Sequence, residues 1–116
     1  AEGFGLSATV EFGRATKVLM NDPAAVVRVE KVAKALVGDQ GYVPMQVPIA
    51  GGEDFASVLA EVPGAFIFLG ASPADHDPEA AAFNHSNKAV FDDSVVPDAV
   101  ALLVALAIDT LNEASV

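Results

Sequence analysis

Apolar and polar residues follow two different periods along this chain, and three segments have the character of strands. Residues 6–12 (LSATVEF) alternate loosely between apolar and polar and are rich in β-forming residues, which predicts a strand. Residues 42–47 (YVPMQV) predict a second strand, which Pro44 restricts to an edge or to a short length. Residues 65–70 (AFIFLG) form a continuous apolar run, typical of a central strand that is covered on both faces.

The first helical segment is marked at both ends. Residues 21–38 predict a helix that Asp22 caps, Pro23 opens and Gly38 ends. The spacing predicts a buried stripe on one side and basic side chains in water on the other. The predicted stripe is Val26, Val29, Ala33 and Leu36, and the basic side chains are Arg28, Lys31 and Lys34.

Two further helices and one long loop complete the pattern. Residues 51–64 (GGEDFASVLAEVPG) predict a helix with Glu53 and Asp54 in its first turn, where the helix dipole favours anions by ~0.3–1 kcal/mol. The last helix is expected from about residue 95 to 112, and its nearly all-round apolar surface predicts that other elements cover it. The long polar loop 71–93 holds both histidines, and a loop of that length is usually functional or mobile.

The order of these elements predicts the fold class. Strands alternate with helices, and this order indicates an α/β layer architecture. Three strands make a small sheet for a run as apolar as residues 65–70, and the last helix is very apolar for a chain of 116 residues. Both features indicate that the natural neighbours of these elements lie outside the sequence, which begins at Ala1 without an initiator Met.

Composition narrows the classes of partner. Apolar residues make up 53% of the chain, enough for one folded domain, and 16 acidic against 6 basic residues give a net charge of −10. That charge repels phosphate backbones and anionic lipid, so we expect no nucleic-acid partner and no membrane surface. The chain has no cysteine and no run of about eighteen uninterrupted apolar residues. These features fit a cytoplasmic protein with no membrane span and no thiolate metal site.

His85 is the most suggestive candidate for chemistry. It lies in the stretch AAFNHSNKAVFDD, residues 81–93. A neutral imidazole is a common zinc ligand, and a neighbouring acceptor usually fixes its tautomer. A surface-loop histidine bonded to its neighbours explains the same residues, and pattern alone favours that interpretation, since a metal site needs three or four ligands. The neighbouring acceptors are Asn84, Ser86, Asp92 and Asp93.

Three other positions have both a functional and a plain interpretation. His76 lies between two aspartates, and an exposed loop histidine accounts for it. Glu53 follows two glycines and could bind a metal or act as a base, but pattern alone favours an acid matched to a helix dipole. Asn21 precedes Asp22 and Pro23, and a turn that caps a helix accounts for all three residues.

Three segments, taken in order, resemble the C-terminal end of the zinc-dependent aminoacylase-type amidohydrolase and metallopeptidase family, which includes hippurate hydrolases, auxin-conjugate hydrolases and N-acyl amino acid amidohydrolases. The segments are VLMNDPAAVVRVEKVAKALVG, GGEDFASVLAEVPGAFIFLGA and FNHSNKAVFDDSVVPDAVALLVALAIDTL. The resemblance implies the C-terminal part of a catalytic α/β/α sandwich, preceded by the last strand of a lid or dimerisation domain. It implies a lid remnant over residues 1–18, a catalytic part over residues 19–116, and a homodimer.

The resemblance also implies a chemistry. His85 matches a ligand of a two-metal centre of zinc or manganese, whose other ligands and general base, a glutamate, lie upstream. Glu53 and Asn21 match positions near the active site or the substrate. The implied reaction is metal-assisted hydrolysis of N-acyl amino acids or dipeptide-like amides, with the metals activating a water and the upstream glutamate moving its proton. The 116 residues alone are then expected to be inactive and without bound metal.

Two alternatives stay open at this point. One is a self-contained, non-catalytic acidic α/β module that binds a partner through exposed apolar surface. The other is a degenerate family member that keeps the fold without the metals, and the presence of His85 argues against it. The acyl and amino-acid specificity lies beyond what these residues predict.

Overall fold

The computed structural model describes residues 2–13 and 15–113. Within them lie three α-helices: α1 (Pro23–Val37), α2 (Ala56–Leu59) and α3 (Val96–Glu113). Short 3-10 turns occupy Glu2–Phe4, Asp39–Gly41 and Asp93–Val95. The rest of the described chain consists of turns, bends and irregular backbone, so the architecture is helical.

Helix α1 forms where the sequence predicts it. The Asp22 carboxylate accepts the N–H of Ala25 at 2.9 Å, and a proline stands in the first turn, where its missing N–H costs nothing. Gly38 ends the helix with φ 77°, a conformation that favours glycine, and donates its N–H to the Lys34 carbonyl at 2.9 Å. Capping signals at both ends therefore determine this helix.

The predicted α/β class is wrong, and so is the predicted α/β/α sandwich with a preceding lid strand. None of the segments 6–12, 42–47 and 65–70 is a strand in the described structure. A strand exists only where a neighbour accepts and donates a ladder of backbone hydrogen bonds, and high β-propensity does not supply that neighbour. The backbone bonds that join remote segments here are isolated, such as Asp92 N–H to the Ala71 carbonyl at 2.9 Å.

Helix α2 is much shorter than the predicted helix over residues 51–64. It covers the four residues Ala56–Leu59, so Glu53 and Asp54 precede it and do not lie in its first turn. Helix α3 agrees with its predicted range to within a residue, and the long loop before it contains turns but no helix or strand over residues 71–92. Helix formation was thus predicted best where the apolar pattern was longest.

The buried core of the described chain is small. It consists of Val29, Val32, Ala33 and Ala56, and Leu36 of the predicted stripe is 46% exposed. Three of these four residues belong to α1, the helix that contacts both α3 and the turn Asp39–Gly41. Arg28 does not face water as predicted, since its guanidinium pairs with Asp109 and Glu113 of α3.

Helix α3 is exposed, so no described element provides the cover that its apolar surface predicts. None of its residues is buried, and Leu103 on its apolar side is 65% exposed. With the turn before it, the segment Asp93–Glu113 contains an 18-residue window with a mean hydropathy of 1.9, so it is long and apolar enough to cross a membrane. The core helix of a soluble protein meets the same criterion, so length and composition leave both environments possible.

The molecule is extended for its mass. Its accessible surface is 9689 Å², whereas a compact monomer of 11.9 kDa exposes about 5,900 Å². Its Cα radius of gyration is 19.6 Å, against about 13 Å for a compact domain of this length. The chain therefore leaves unburied a large surface of the kind that a single folded domain would bury.

Candidate functional site

His85 lies in the loop between α2 and α3, inside a tight turn. The N–H of Ser86 donates to the Phe83 carbonyl at 2.8 Å, which places His85 within that turn. The imidazole packs against the Phe83 ring with centroids 5.6 Å apart at 48° and is exposed to solvent. An exposed imidazole is free to bind a ligand that approaches from outside the described chain.

The expected acceptors for the His85 ring are not bonded to it. Ser86 Oγ accepts the N–H of Lys88 at 3.1 Å, and Asp92 Oδ1 accepts the N–H of Ser94 at 2.9 Å. Residues 2–13 and 15–113 contain no group of three or more His, Asp or Glu side chains placed to hold a metal ion. A complete metal centre therefore does not fit the described residues, which offer His85 as a single candidate ligand.

Glu53 lies immediately before α2 and is half-buried. Its Oε1 accepts the N–H of Phe55 at 3.0 Å, and its carbonyl accepts the N–H of Ala56 at 3.2 Å. These bonds stabilise the entry to a four-residue helix. The carboxylate keeps acceptor capacity beyond this single bond, and no described contact links it to His85.

Asn21 bonds the backbone of Phe66 through both ends of its side-chain amide. Its amide N–H donates to the Phe66 carbonyl at 3.1 Å, and its amide oxygen accepts the Phe66 N–H at 2.8 Å. The next residue adds Asp22 N–H to the Gly64 carbonyl at 2.9 Å. The start of α1 is therefore clamped to the apolar run 65–70, a contact for which the sequence carried no local signal.

Aromatic packing connects Asn21 with the neighbourhood of Glu53. The ring of Phe66 lies 5.7 Å from that of Phe55 and 5.2 Å from that of Phe68, the latter pair at 87°. Phe55 in turn donates its N–H to Glu53. Two of the three predicted site residues thus belong to one connected region, and the described contacts do not extend it to His85.

His76 has a local partner. Its Nδ1 lies 2.8 Å from Asp75 Oδ1, and this hydrogen bond is the main cause that lowers the pKa of Asp75. Both side chains are exposed. An imidazole bonded to its sequence neighbour at the surface agrees with the plain interpretation of this residue.

A shallow open groove of about 360 Å³ lies between residues 20–22 and 59–63. Asn21 contributes to its wall, whereas His85 and Glu53 do not. The described chain therefore does not bring its three candidate residues into one cavity.

Comparison with known proteins identifies the family of this chain, which the geometry of the candidate residues does not. No solved structure matches the chain. A family model described as Peptidase family M20/M25/M40 matches residues 6–109, which include all three candidate residues. Since this match covers far more than half of the sequence, the chain belongs to the M20/M25/M40 peptidase family.

Proposed function

We propose that this chain is part of a metal-dependent hydrolase that cleaves the amide bond of N-acyl amino acids or related small amides. The observation that carries the proposal is the family match over residues 6–109, which supports a peptidase or hydrolase. The aminoacylase-type substrate, dipeptide-like amides included, rests on the resemblance of the segments around Asn21, Glu53 and His85.

The proposal gives His85 the part of one metal ligand. The described residues hold no second and third donor beside it, so the remaining ligands and the general base would come from residues outside these 116. Zinc and manganese both accept imidazole and carboxylate ligands. We assign no catalytic residue within this chain, and the 116 residues alone would be inactive.

The exposed surface supports the same proposal. An accessible area of 9689 Å² and an uncovered α3 are expected of a piece whose packing partners belong to the same larger domain. On this proposal residues 1–18 end a lid or dimerisation domain, residues 19–116 belong to the catalytic domain, and the intact enzyme is a cytoplasmic homodimer. Glu53 and Asn21 lie near its substrate.

The test is His85→Ala in the intact protein that carries this chain. We expect most of the hydrolysis of N-acyl amino acids to be lost, together with part of the bound metal, because removing an imidazole leaves the metal one donor short. Metal content by elemental analysis and turnover are measured on the same samples.

His76→Ala is the matched control, since it removes the other histidine of the same loop and should leave metal and turnover unchanged. Full metal content with normal turnover in His85→Ala would exclude the ligand role. Activity of the isolated 116 residues at enzyme-like rates would show that a complete site lies within them.

One observation favours a second candidate, a non-catalytic acidic interaction module. Helix α3 leaves apolar side chains such as Leu103 exposed, as a partner-binding surface would. Such a module folds stably without other sequence and binds its partner with no metal, so thermal unfolding of the isolated chain separates the two candidates.

A further inference from the structure

The loop that holds His85 is a separate unit within the described chain. Every hydrogen bond that the structure describes for residues 72–91 stays inside that range, such as His76 N–H to the Pro73 carbonyl at 3.0 Å and Ala89 N–H to the Ser86 carbonyl at 3.1 Å. The described hydrogen bonds therefore attach this loop to the rest of the chain only at its two ends.

The two ends meet at Asp92. Its N–H donates to the carbonyl of Ala71 at 2.9 Å, which closes the loop at its base. Its Oδ1 accepts the N–H of Ser94 at 2.9 Å and so caps the turn that leads into α3. The residue is half-buried, and it links the two elements in two ways: its backbone N–H closes the loop, and its side chain caps the turn at the start of the last helix.

The base of the loop is attached to the rest of the molecule on its other side. Ala71 follows the run 65–70, whose Phe66 is held by Asn21. A continuous path therefore leads from the start of α1 through Phe66 and Ala71 to Asp92. Hydrogen bonds from the side chain and then the backbone of Ser94 lower the pKa of Asp92, so the carboxylate is charged at neutral pH.

We propose that Asp92 is a positioning residue for His85: its side-chain cap on the turn before α3 fixes the orientation of its own backbone N–H, and that N–H closes the loop 72–91 at its base. The inference rests on the proposed function in one respect only, that His85 is the functional residue of the loop. Closure of the loop limits where the His85 imidazole can lie, and the Phe83–His85 ring contact reports its placement.

The test is Asp92→Ala in the intact protein, read by amide hydrogen exchange and by the nuclear Overhauser contact between the Phe83 and His85 rings. A lost cap corresponds to about a fivefold shift toward the open form. We therefore expect about fivefold lower protection of the Ser86 and Asp92 amides and a weakened ring contact. Asp92→Asn keeps an acceptor that caps well and should restore both readouts.

Asp93→Ala is the matched control, because it removes the same charge one residue later from an exposed side chain. A residue that only caps the helix would alter the Ser94 amide and leave Ser86 and the ring contact unchanged, and that result would overturn the proposal. So would equal effects of Asp93→Ala. If Asp92→Ala does not fold, Asp92→Thr, a weaker cap, replaces it in the same comparison.

Neither readout depends on turnover or on bound metal. Loss of the ring contact in Asp92→Ala together with an active His85→Ala enzyme would leave the positioning role intact and remove the metal role. An unchanged ring contact in Asp92→Ala together with an inactive His85→Ala enzyme would remove the positioning role and leave the metal role intact.

Discussion

The side-chain amide of Asn21 shows how one residue can connect distant parts of the chain. It meets both backbone groups of Phe66, 45 positions further along, with distances of 3.1 and 2.8 Å. An amide that is bonded at both ends stabilises the fold. Here it satisfies the N–H and the carbonyl of Phe66, which have no neighbouring strand to bond. The predicted place of Asn21 near the substrate stays a prediction, and its contact with Phe66 is the firmer assignment.

Asn21→Asp should therefore destabilise the intact protein. The carboxylate still accepts the Phe66 N–H, but it cannot donate to the Phe66 carbonyl and places negative charge beside it. A half-buried group left without its partner costs about 1–3 kcal/mol of unfolding free energy, which denaturant titration measures. Asn87→Asp makes the same change at an exposed loop position and should have little effect. Equal stability of the two variants would contradict the clamp.

Electrostatic contacts join α1 to α3 at the scale of elements. Arg28 Nε lies 3.5 Å from Asp109 Oδ2, an ion pair without a hydrogen bond between those two atoms, and Lys31 Nζ lies 2.8 Å from Asp109 Oδ1. Arg28 also donates to Thr110 at 3.3 Å and pairs with Glu113. Basic residues on α1 thus meet the acidic end of an otherwise apolar helix and set which face of α3 it contacts.

Asp109→Asn should remove the loss of stability that the protein shows at alkaline pH. The hydrogen bond that Lys31 donates to Asp109, and then the charge of Asp109, raise the pKa of Lys31 above its ordinary value of 10.5. A raised pKa means that the contribution is complete below the unfolded value and is lost as pH rises through the folded one, hence above about pH 10.

The variant should also lose about 0.2–1 kcal/mol at neutral pH through the Arg28 pair. Urea unfolding at neutral pH and above the Lys31 titration measures both effects. Asp98→Asn changes the same charge in the first turn of α3 and should keep the alkaline dependence. If Asp109→Asn also keeps this dependence on alkaline pH, the contact between Lys31 and Asp109 does not contribute to stability.

The molecule as a whole has an open shape and buries little apolar surface. A radius of gyration of 19.6 Å and extents of 66 × 43 × 22 Å describe an open arrangement with four buried residues in its described core. Hydrophobic burial is the dominant favourable term in folding, so such a chain gains little stability from its own contacts. The proposed larger domain supplies the missing burial.

Leu103→Ala distinguishes a covered α3 from a free one. Leu103 is 65% exposed in this chain, so the substitution should cost the isolated 116 residues little. In the intact protein, where the proposed larger domain would cover the helix, it should cost about 2–5 kcal/mol. Thermal or denaturant unfolding of both forms gives the comparison, and an equally small cost in both would show that α3 stays uncovered.

Residues that are close together along the chain account for α1, for α3 and for the loop before α3. Asp22, Pro23 and Gly38 set the ends of α1, the long apolar repeat set α3, and the polar stretch with His85 predicted the loop, because caps and i→i−4 hydrogen bonds form within a few residues. The remaining features depend on contacts between segments that are distant along the chain. No sheet formed from residues 65–70, since a strand needs a partner that local pattern cannot provide. The clamp of Asn21 on Phe66 and the closure of the His85 loop at Asp92 likewise join residues far apart in sequence, where spacing carries no signal.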